Sequence, residues 1–289
     1  DGLKYNPDLE EHERTASESG KPDDRWVFTE ENLRREYTTI RALAAASRVL
    51  KGFNDTLAEQ SLQAAIELYE MKRSENQGSK ASHINAAVEL YITTGFEKYR
   101  NELFSMQDEI IRNINSCGWT IARVFDSCRE ENFRSEVLTA FKKLEQDLNK
   151  KQNENPFGVP YNIRVWGDGW GIQRLGMQHY FLHKNMPQLF DNDLMLNALN
   201  FVLGNHPGQN TSSFASGVGS RSLTEAYGVN RADRSFIPGG VASGTGIIRP
   251  DFPELKKWPY FWQQTEYVMG GGATNFMFLV LAADNLLKE

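Results

Sequence analysis

The sequence predicts an all-α fold. Apolar residues recur at helical spacing in segments of about 12–20 residues. The connections between those segments are short, as in antiparallel helix pairs, and strand signals are nearly absent from the 289 residues. At about 150 residues per domain the length allows one or two domains. We read residues 1–289 as one.

Residues 1–24 are polar and turn-rich, which predicts an extended lead-in. Thr29, followed by Glu30 and Glu31, reads as a helix cap with acids in the first turn, so a helix is expected over 30–51. Its small-residue run 42–47 permits close packing. A second helix, 55–72, presents Leu57, Leu62, Ala65, Ile66 and Tyr69 as one stripe, and Gly78 ends the pattern. Further helices are expected at 82–94, 96–115, 130–149, from Trp170 to Lys184, and from Leu189 to Val202. Segment 203–254 is rich in Gly, Pro, Ser, Thr and Asn and lacks a clear period. Loops of that length are usually functional or disordered, and Tyr227, Phe236 and Phe252 favour an ordered active-site loop region. A last helix at 262–287 carries the apolar run Phe276–Ala283, read as buried. A membrane span needs about 20 apolar residues and this run is far shorter. No fixed-period repeat is present, so a solenoid is not expected.

Lys plus Arg total 32 against 38 Asp plus Glu, a net charge of −6. That sign argues against nucleic acid or an anionic membrane as partner, because both reward a basic face. Hydrophobic residues at 40% and charged residues at 24% describe a folded chain. Two cysteines, Cys117 and Cys128, exclude a disulfide scaffold and a four-cysteine zinc site. They leave one disulfide or two buried thiols. The chain opens on Asp1-Gly2 without an apolar leader, which reads as a fragment or a processed form.

His179 and His183 stand four apart on one helix face, a spacing that two metal ligands could share. No Glu follows the first His, and packing among Tyr180, Phe181 and Leu182 explains both, so no metal is predicted. The glycine-rich pieces 217–220, 240–246 and 270–272 follow no strand and lack the Lys-Ser/Thr ending of a phosphate cradle. Ser216 and Ser243 lack a nucleophile-elbow context. No cofactor is expected. More informative are Trp26, Trp166, Trp170, Trp258, Trp262, Tyr161 and Tyr227, which sit in or beside turns among Asn, Asp and Arg. Some of these rings are core. Together, though, ring faces and polar side chains suit a sugar. Glycoside hydrolysis needs two carboxyl groups. Glu266, among Trp262, Tyr267, Val268 and Met269, is a candidate general acid, since desolvation keeps a carboxyl protonated. Placed at a helix start, it would instead be held ionised by the helix dipole.

These residues carry a resemblance. Leu203-Gly204-Asn205-His206-Pro207-Gly208, with Gly217-Val218-Gly219, resembles the LGxNP…GFG segment of glycoside hydrolase family 9, the cellulase-like inverting endoglucanases. Thr265-Glu266-Tyr267, followed by Thr274-Asn275, resembles that family's signature in which the Glu is the acid. Trp170-Gly171-Ile172-Gln173-Arg174 resembles its Trp-Gly-x-x-Arg helix start, residues 43–50 its Ala-rich barrel helix, and Pro22-Asp23-Asp24-Arg25-Trp26 the stretch bearing a stacking Trp. The resemblance covers about 22–288, is strong at 156–288 and weaker in 72–150, and the wording of 227–255 looks like a subgroup of gut-bacterial polysaccharide degraders.

The resemblance implies an (α/α)6 barrel and inverting hydrolysis of a β-linked glucan such as cellulose or xyloglucan. Glu266 is then the acid, Trp26, Trp166 and Trp170 stack on sugar rings, and Asn205 and Arg231 meet hydroxyls. The substrate is a polysaccharide or oligosaccharide, and the location secreted, periplasmic or cell-surface. A structural calcium ion would be compatible, but nothing in the sequence indicates one. Two departures matter. Tyr227-Gly228-Val229-Asn230-Arg231 stands where the family has a paired His-Arg loop, and the Asp-Ala-Gly-Asp motif of the general base is absent. Gly167-Asp168-Gly169 is no substitute. The barrel is therefore expected to be incomplete, lacking N-terminal helices supplied by a missing part of the same protein. The isolated chain is expected to be inactive or nearly so, and to be a dimer or poorly soluble because an apolar barrel face is left uncovered. The rival readings are a non-catalytic carbohydrate-binding or interaction fragment and another (α/α)-barrel enzyme such as a polysaccharide lyase. A lyase would call for a basic cleft, which the net charge does not suggest.

Overall fold

The computed structural model describes residues 2–23, 32–73, 80–160, 168–206, 213–222, 237–242, 267–268 and 271–288. Within them the architecture is helical. The helices are α1 (Leu33–Leu50), α2 (Asp55–Lys72), α3 (Lys80–Thr94), α4 (Glu97–Ser105), α5 (Gln107–Arg112), α6 (Ile114–Ala122), α7 (Glu131–Gln152), α8 (Asp168–Asn185), α9 (Asp193–Val202) and α10 (Gly271–Leu286). Four two-residue strands accompany them: β1 (Lys4–Tyr5), β2 (Glu18–Ser19), β3 (Val241–Ala242) and β4 (Tyr267–Val268).

Alternate helices touch in sequence: α1 meets α3, α3 meets α6, α6 meets α8, and α8 meets α10. This row is the inner layer of an α/α arc. α2 packs outside against α1, α7 against α6, and α9 against α8 and α10. The burial pattern follows. Every residue of α3 from Ile84 to Leu90 is buried, as expected of a helix enclosed on all sides. One of them is charged. Glu89 accepts from Arg48 of α1 at 2.6 Å and from Arg123 at the end of α6, tying three inner helices through one carboxylate. Removing one member of such a set strands a buried charge.

Local chemistry explains most boundaries. Asn32, rather than Thr29, caps α1, its side chain accepting from the Arg35 N–H at 3.0 Å; Thr29 lies outside the described residues. Asn54 caps α2 in the same way through the Leu57 N–H. α2 has the expected length, but its stripe is rotated. Ala58, Ser61, Ala65 and Tyr69 are buried, while Leu57 is 45% exposed. The small residues let α2 approach α1 closely, which leaves Leu57 outside the contact.

The single helix expected at 96–115 is three. Met106 (φ −99°, ψ 17°) and Asn113 (φ −109°, ψ 18°) leave the helical region and break it into α4, α5 and α6. α6 extends well past the expected end. Its sequence, INSCGWTIA, is poor in strong helix formers, yet six of its nine residues are buried, so packing overrides propensity. Gly118 sits where a Cβ would stand 3.3 Å from the Phe141 ring of α7. Further on, α9 starts at Asp193, not Leu189, because Met186–Phe190 form a turn closed by the Phe190 N–H donating to Met186 O at 3.0 Å.

Three other expectations are corrected. The lead-in is a closed loop rather than an extended one: β1 and β2 pair in parallel, and Gly20 lies where a Cβ would be 1.9 Å from Glu10 O. The last helix begins at Gly271, and Tyr267–Val268, expected within it, form β4. Finally, the apolar run of α10 is not wholly buried. Leu279, Ala282 and Ala283 face the core, whereas Met277 and Leu281 are 62% and 67% exposed, with Val280 beside them. Both cysteines are free and buried. Burial pushes the Cys117 thiol up to about 12 and Cys128 up to about 11, so both are protonated and inert.

Candidate active site

The candidate site is built at one end of α8, α9 and α10. α8 and α10 run in the same direction: Phe276 packs on the cluster containing Ile172, Gly176 meets Leu279, and Tyr180 shares a cluster with Ala283. A Cβ on Gly176 would stand 2.8 Å from Ala198 Cβ and 3.0 Å from Leu279 Cδ2, so this glycine lets the three helices meet. The N-termini of α8 and α10 therefore lie at the same end. The second core cluster, with Ile172, Phe201, Val202 and Phe214, supports that end from below.

Above it, the loop after α9 is held by its own backbone. The Phe214 N–H donates to Val202 O at 2.8 Å, Ser220 N–H to Leu203 O at 2.8 Å, and Ser213 N–H to Arg221 O at 2.8 Å. Gly219 makes this closure feasible. Its φ is +88°, and a Cβ there would lie 2.4 Å from Ser213 Cβ and 2.5 Å from Leu203 O. His206 is buried and stacks on Phe214 with centroids 5.1 Å apart. It belongs to the packing of the loop.

The loop then joins the last third of the chain. Ser216 N–H donates to Gly240 O at 2.9 Å, Ala242 N–H to Phe214 O at 2.7 Å, and β3 pairs antiparallel with β4 in the register Val241↔Val268 and Ala242↔Tyr267. A three-part ladder thus connects the glycine-rich loop, β3, and the residue that directly follows Glu266. Tyr267, the next residue in sequence after Glu266, opens β4, and α10 starts at Gly271.

Of the residues singled out in the sequence, Trp170 lies in the first turn of α8 and is half-buried, and Asn205 follows α9 and is exposed, its N–H donating to Asn200 O at 3.0 Å. The antiparallel α8–α9 pair brings these two to the same end. Glu266, Trp26, Trp166 and Arg231 lie outside the described residues. Gln173 escaped the sequence reading as a site residue. It is fully buried one turn after Trp170, and neither of its amide atoms has a hydrogen-bond partner among the described residues. A buried polar group in that state costs about 1–3 kcal/mol. The signal was present in the sequence as the one amide in an otherwise apolar turn.

No group of three or more potential ligands gathers for a metal among the described residues. His183 Nδ1 instead hydrogen-bonds Phe190 O at 2.8 Å, and His179 packs edge-on against the Phe190 ring.

The sequence model of glycosyl hydrolase family 9 matches residues 36–232, about two thirds of the chain. The chain belongs to this family. That match includes Trp166, Trp170, Asn205 and Arg231 and ends before Glu266. No curated protein matches the chain in sequence. Among solved structures, AaCel9A in complex with cellobiose-like isofagomine is similar with a TM-score of 0.70 at 16% identity, covering 93% of this chain and 58% of that one. A metagenome-derived glycoside hydrolase family 9 endoglucanase gives 0.65 at 18% identity, covering 87% and 52%. An endoglucanase from the termite Nasutitermes takasagoensis gives 0.61 at 15% identity, covering 91% and 70%. These likenesses establish the (α/α)6-barrel fold of the family 9 enzymes, of which this chain forms part. The chain spans a little over half the length of the first two structures.

Proposed function

We propose that the chain is one domain, part of the catalytic domain of a glycoside hydrolase that cleaves a β-1,4-glucan such as cellulose or xyloglucan with inversion. The observation that carries this is the family match over residues 36–232, joined to a loop system that ladders to the strand following Glu266. Glu266 donates a proton to the leaving glycosidic oxygen. An Asp supplied by a further part of the same protein activates water on the opposite face of the sugar. In an inverting enzyme the two carboxyls stand about 6.5–9.5 Å apart to leave room for that water. Trp26, Trp166 and Trp170 stack on sugar rings, and Asn205 and Arg231 take hydroxyls. The substrate is extracellular polysaccharide, which places the enzyme outside the cytoplasm. No helix among the described residues is long and apolar enough to cross a membrane.

The same reading assigns the exposed Met277–Val280–Leu281 face of α10 to the part of the protein that carries the base. Separated from it, two copies of the chain pair through this face, and the chain is inactive. Glu266→Gln in the complete enzyme tests the central assignment. General acid catalysis contributes about 10²–10⁴-fold, so kcat on a natural glucan should fall by that order. An aryl glycoside with a good leaving group needs little protonation and should be affected far less. Equal slowing of both substrates would exclude Glu266 as the acid.

A further inference from the structure

The inner row of helices holds a charge imbalance. Arg48 and Arg123 share the Glu89 carboxylate, and a third guanidinium, that of Arg41 in α1, lies near them with its Cζ 5.8 Å from the Trp119 ring centroid of α6. Arg41 is half-buried and makes no hydrogen bond or ion pair among the described residues. Burial pulls its pKa below the usual arginine value, with Glu89 opposing that shift and the Arg123 cation adding to it. Arginine nevertheless stays charged, so three guanidinium groups face one carboxylate. The inner helices hold no other acid for them. Glu36 of α1 pairs with Lys72, Asp284 of α10 pairs with Lys288, Asp168 is the first residue of α8, and α6 has no acid.

The layer continues to the far end of the arc. Arg123 lies over the Phe181 ring of α8 at 5.2 Å, and Phe181 stacks on Phe278 of α10 with centroids 5.5 Å apart. Phe181 stands eleven residues along α8 from Trp170, about 16 Å at the rise of a helix, so the layer is remote from the candidate active site. A barrel of six helix pairs has six inner helices, and α1, α3, α6, α8 and α10 are five of them. One gap remains, between α10 and α1, and both helices present exposed residues: Met277 and Leu281 on α10, Ala42 and Val49 on α1.

We propose that a helix from the further part of the protein closes this gap, and that an Asp or Glu on it reaches into the layer and pairs with Arg41. The proposal rests on the reading of the chain as part of a larger catalytic domain. A carboxylate suits the position because a guanidinium takes it through two parallel hydrogen bonds. A neutral side chain there would leave the Arg41 cation enclosed without a counter-ion once the barrel closes, which is a costly state.

The test is thermal unfolding of Arg41→Met and Arg41→Lys, each in the complete enzyme and in the 289-residue chain. Met keeps the apolar contact with Trp119 and removes the charge. In the complete enzyme it strands the partner carboxylate and should lower the melting temperature by about 5 °C. Lys keeps the charge and should restore at least half of that loss. In the 289-residue chain the carboxylate is absent. Arg41→Met then removes an unpaired cation and should leave the melting temperature unchanged or raise it. Equal losses in the chain and the complete enzyme would make Arg41 a partner of Glu89 and Trp119 alone, and would overturn the proposal. So would a complete enzyme indifferent to Arg41→Met, or one in which Lys is as damaging as Met; these two comparisons need only the complete enzyme and decide the matter even if the chain aggregates. The kinetics of Glu266→Gln judge the catalytic reading separately, because the Arg41 variants are read by stability.

Discussion

Gly219 offers a quantitative test of how the active-site loop is held. Replacing it with Ala introduces two separable costs. The first is conformational: at φ +88° an L side chain is disfavoured by about 1–2 kcal/mol. The second is steric. The new Cβ would meet Ser213 Cβ at 2.4 Å and Leu203 O at 2.5 Å, and both belong to a loop tied by backbone hydrogen bonds. Overpacking of this kind costs about 1–3 kcal/mol. Gly217 supplies the control. Its φ is nearly the same, +87°, but nothing lies within 4 Å of its Cβ position, so Gly217→Ala carries the conformational cost alone. Native-state hydrogen exchange at the Phe214 and Ser220 amides reports both, because each N–H closes the loop onto the end of α9. With a tenfold change for each 1.4 kcal/mol, Gly219→Ala should speed exchange there by roughly 30-fold or more, and Gly217→Ala by about 5- to 30-fold. Equal acceleration by the two variants would refute the steric argument.

Three further outcomes follow from the buried groups. His179 is depressed from 6.5 to about 4 by burial, so between those values the unfolded chain binds the proton and the folded one does not. Its contribution is present above pH 6.5 and is lost as the pH falls toward 4, amounting to about 3 kcal/mol when fully developed; chemical denaturation across that window should show a shallower pH dependence in His179→Leu than in the wild type. Cys117 and Cys128, both buried protonated thiols, should resist a thiol reagent in the native state and both react after denaturation, and dithiothreitol should leave the melting temperature unchanged. Gln173→Leu removes a buried amide without a partner among the described residues and should stabilise the chain by about 1–2 kcal/mol in denaturant titration; a loss of stability would show that the amide is satisfied.

Much of the fold is legible along the chain because helical periodicity is a local property. The span of α2 follows directly from its sequence, as do α7 and α8 to within three residues at either end, since each carries a 3.6-residue pattern bounded by Asn54, Glu130 or the turn after Asn185. The resemblance likewise rests on short strings, and the family match bears it out over 36–232. What the tertiary structure decided depends on contacts between distant segments. The breaks at Met106 and Asn113 interrupt a continuous apolar pattern because α5 and α6 turn to bury Ile110, Ile114 and Cys117 in the main core. Strand β4 exists because Tyr267–Val268 finds β3, and two residues carry no period by which a sequence reading could detect them. With that pairing in place, the last helix starts at Gly271. Burial was the hardest property to read. Met277 and Leu281 are as apolar as Leu279, yet only Leu279 meets α8, and exposure is set by which neighbour covers a face rather than by the residues on it.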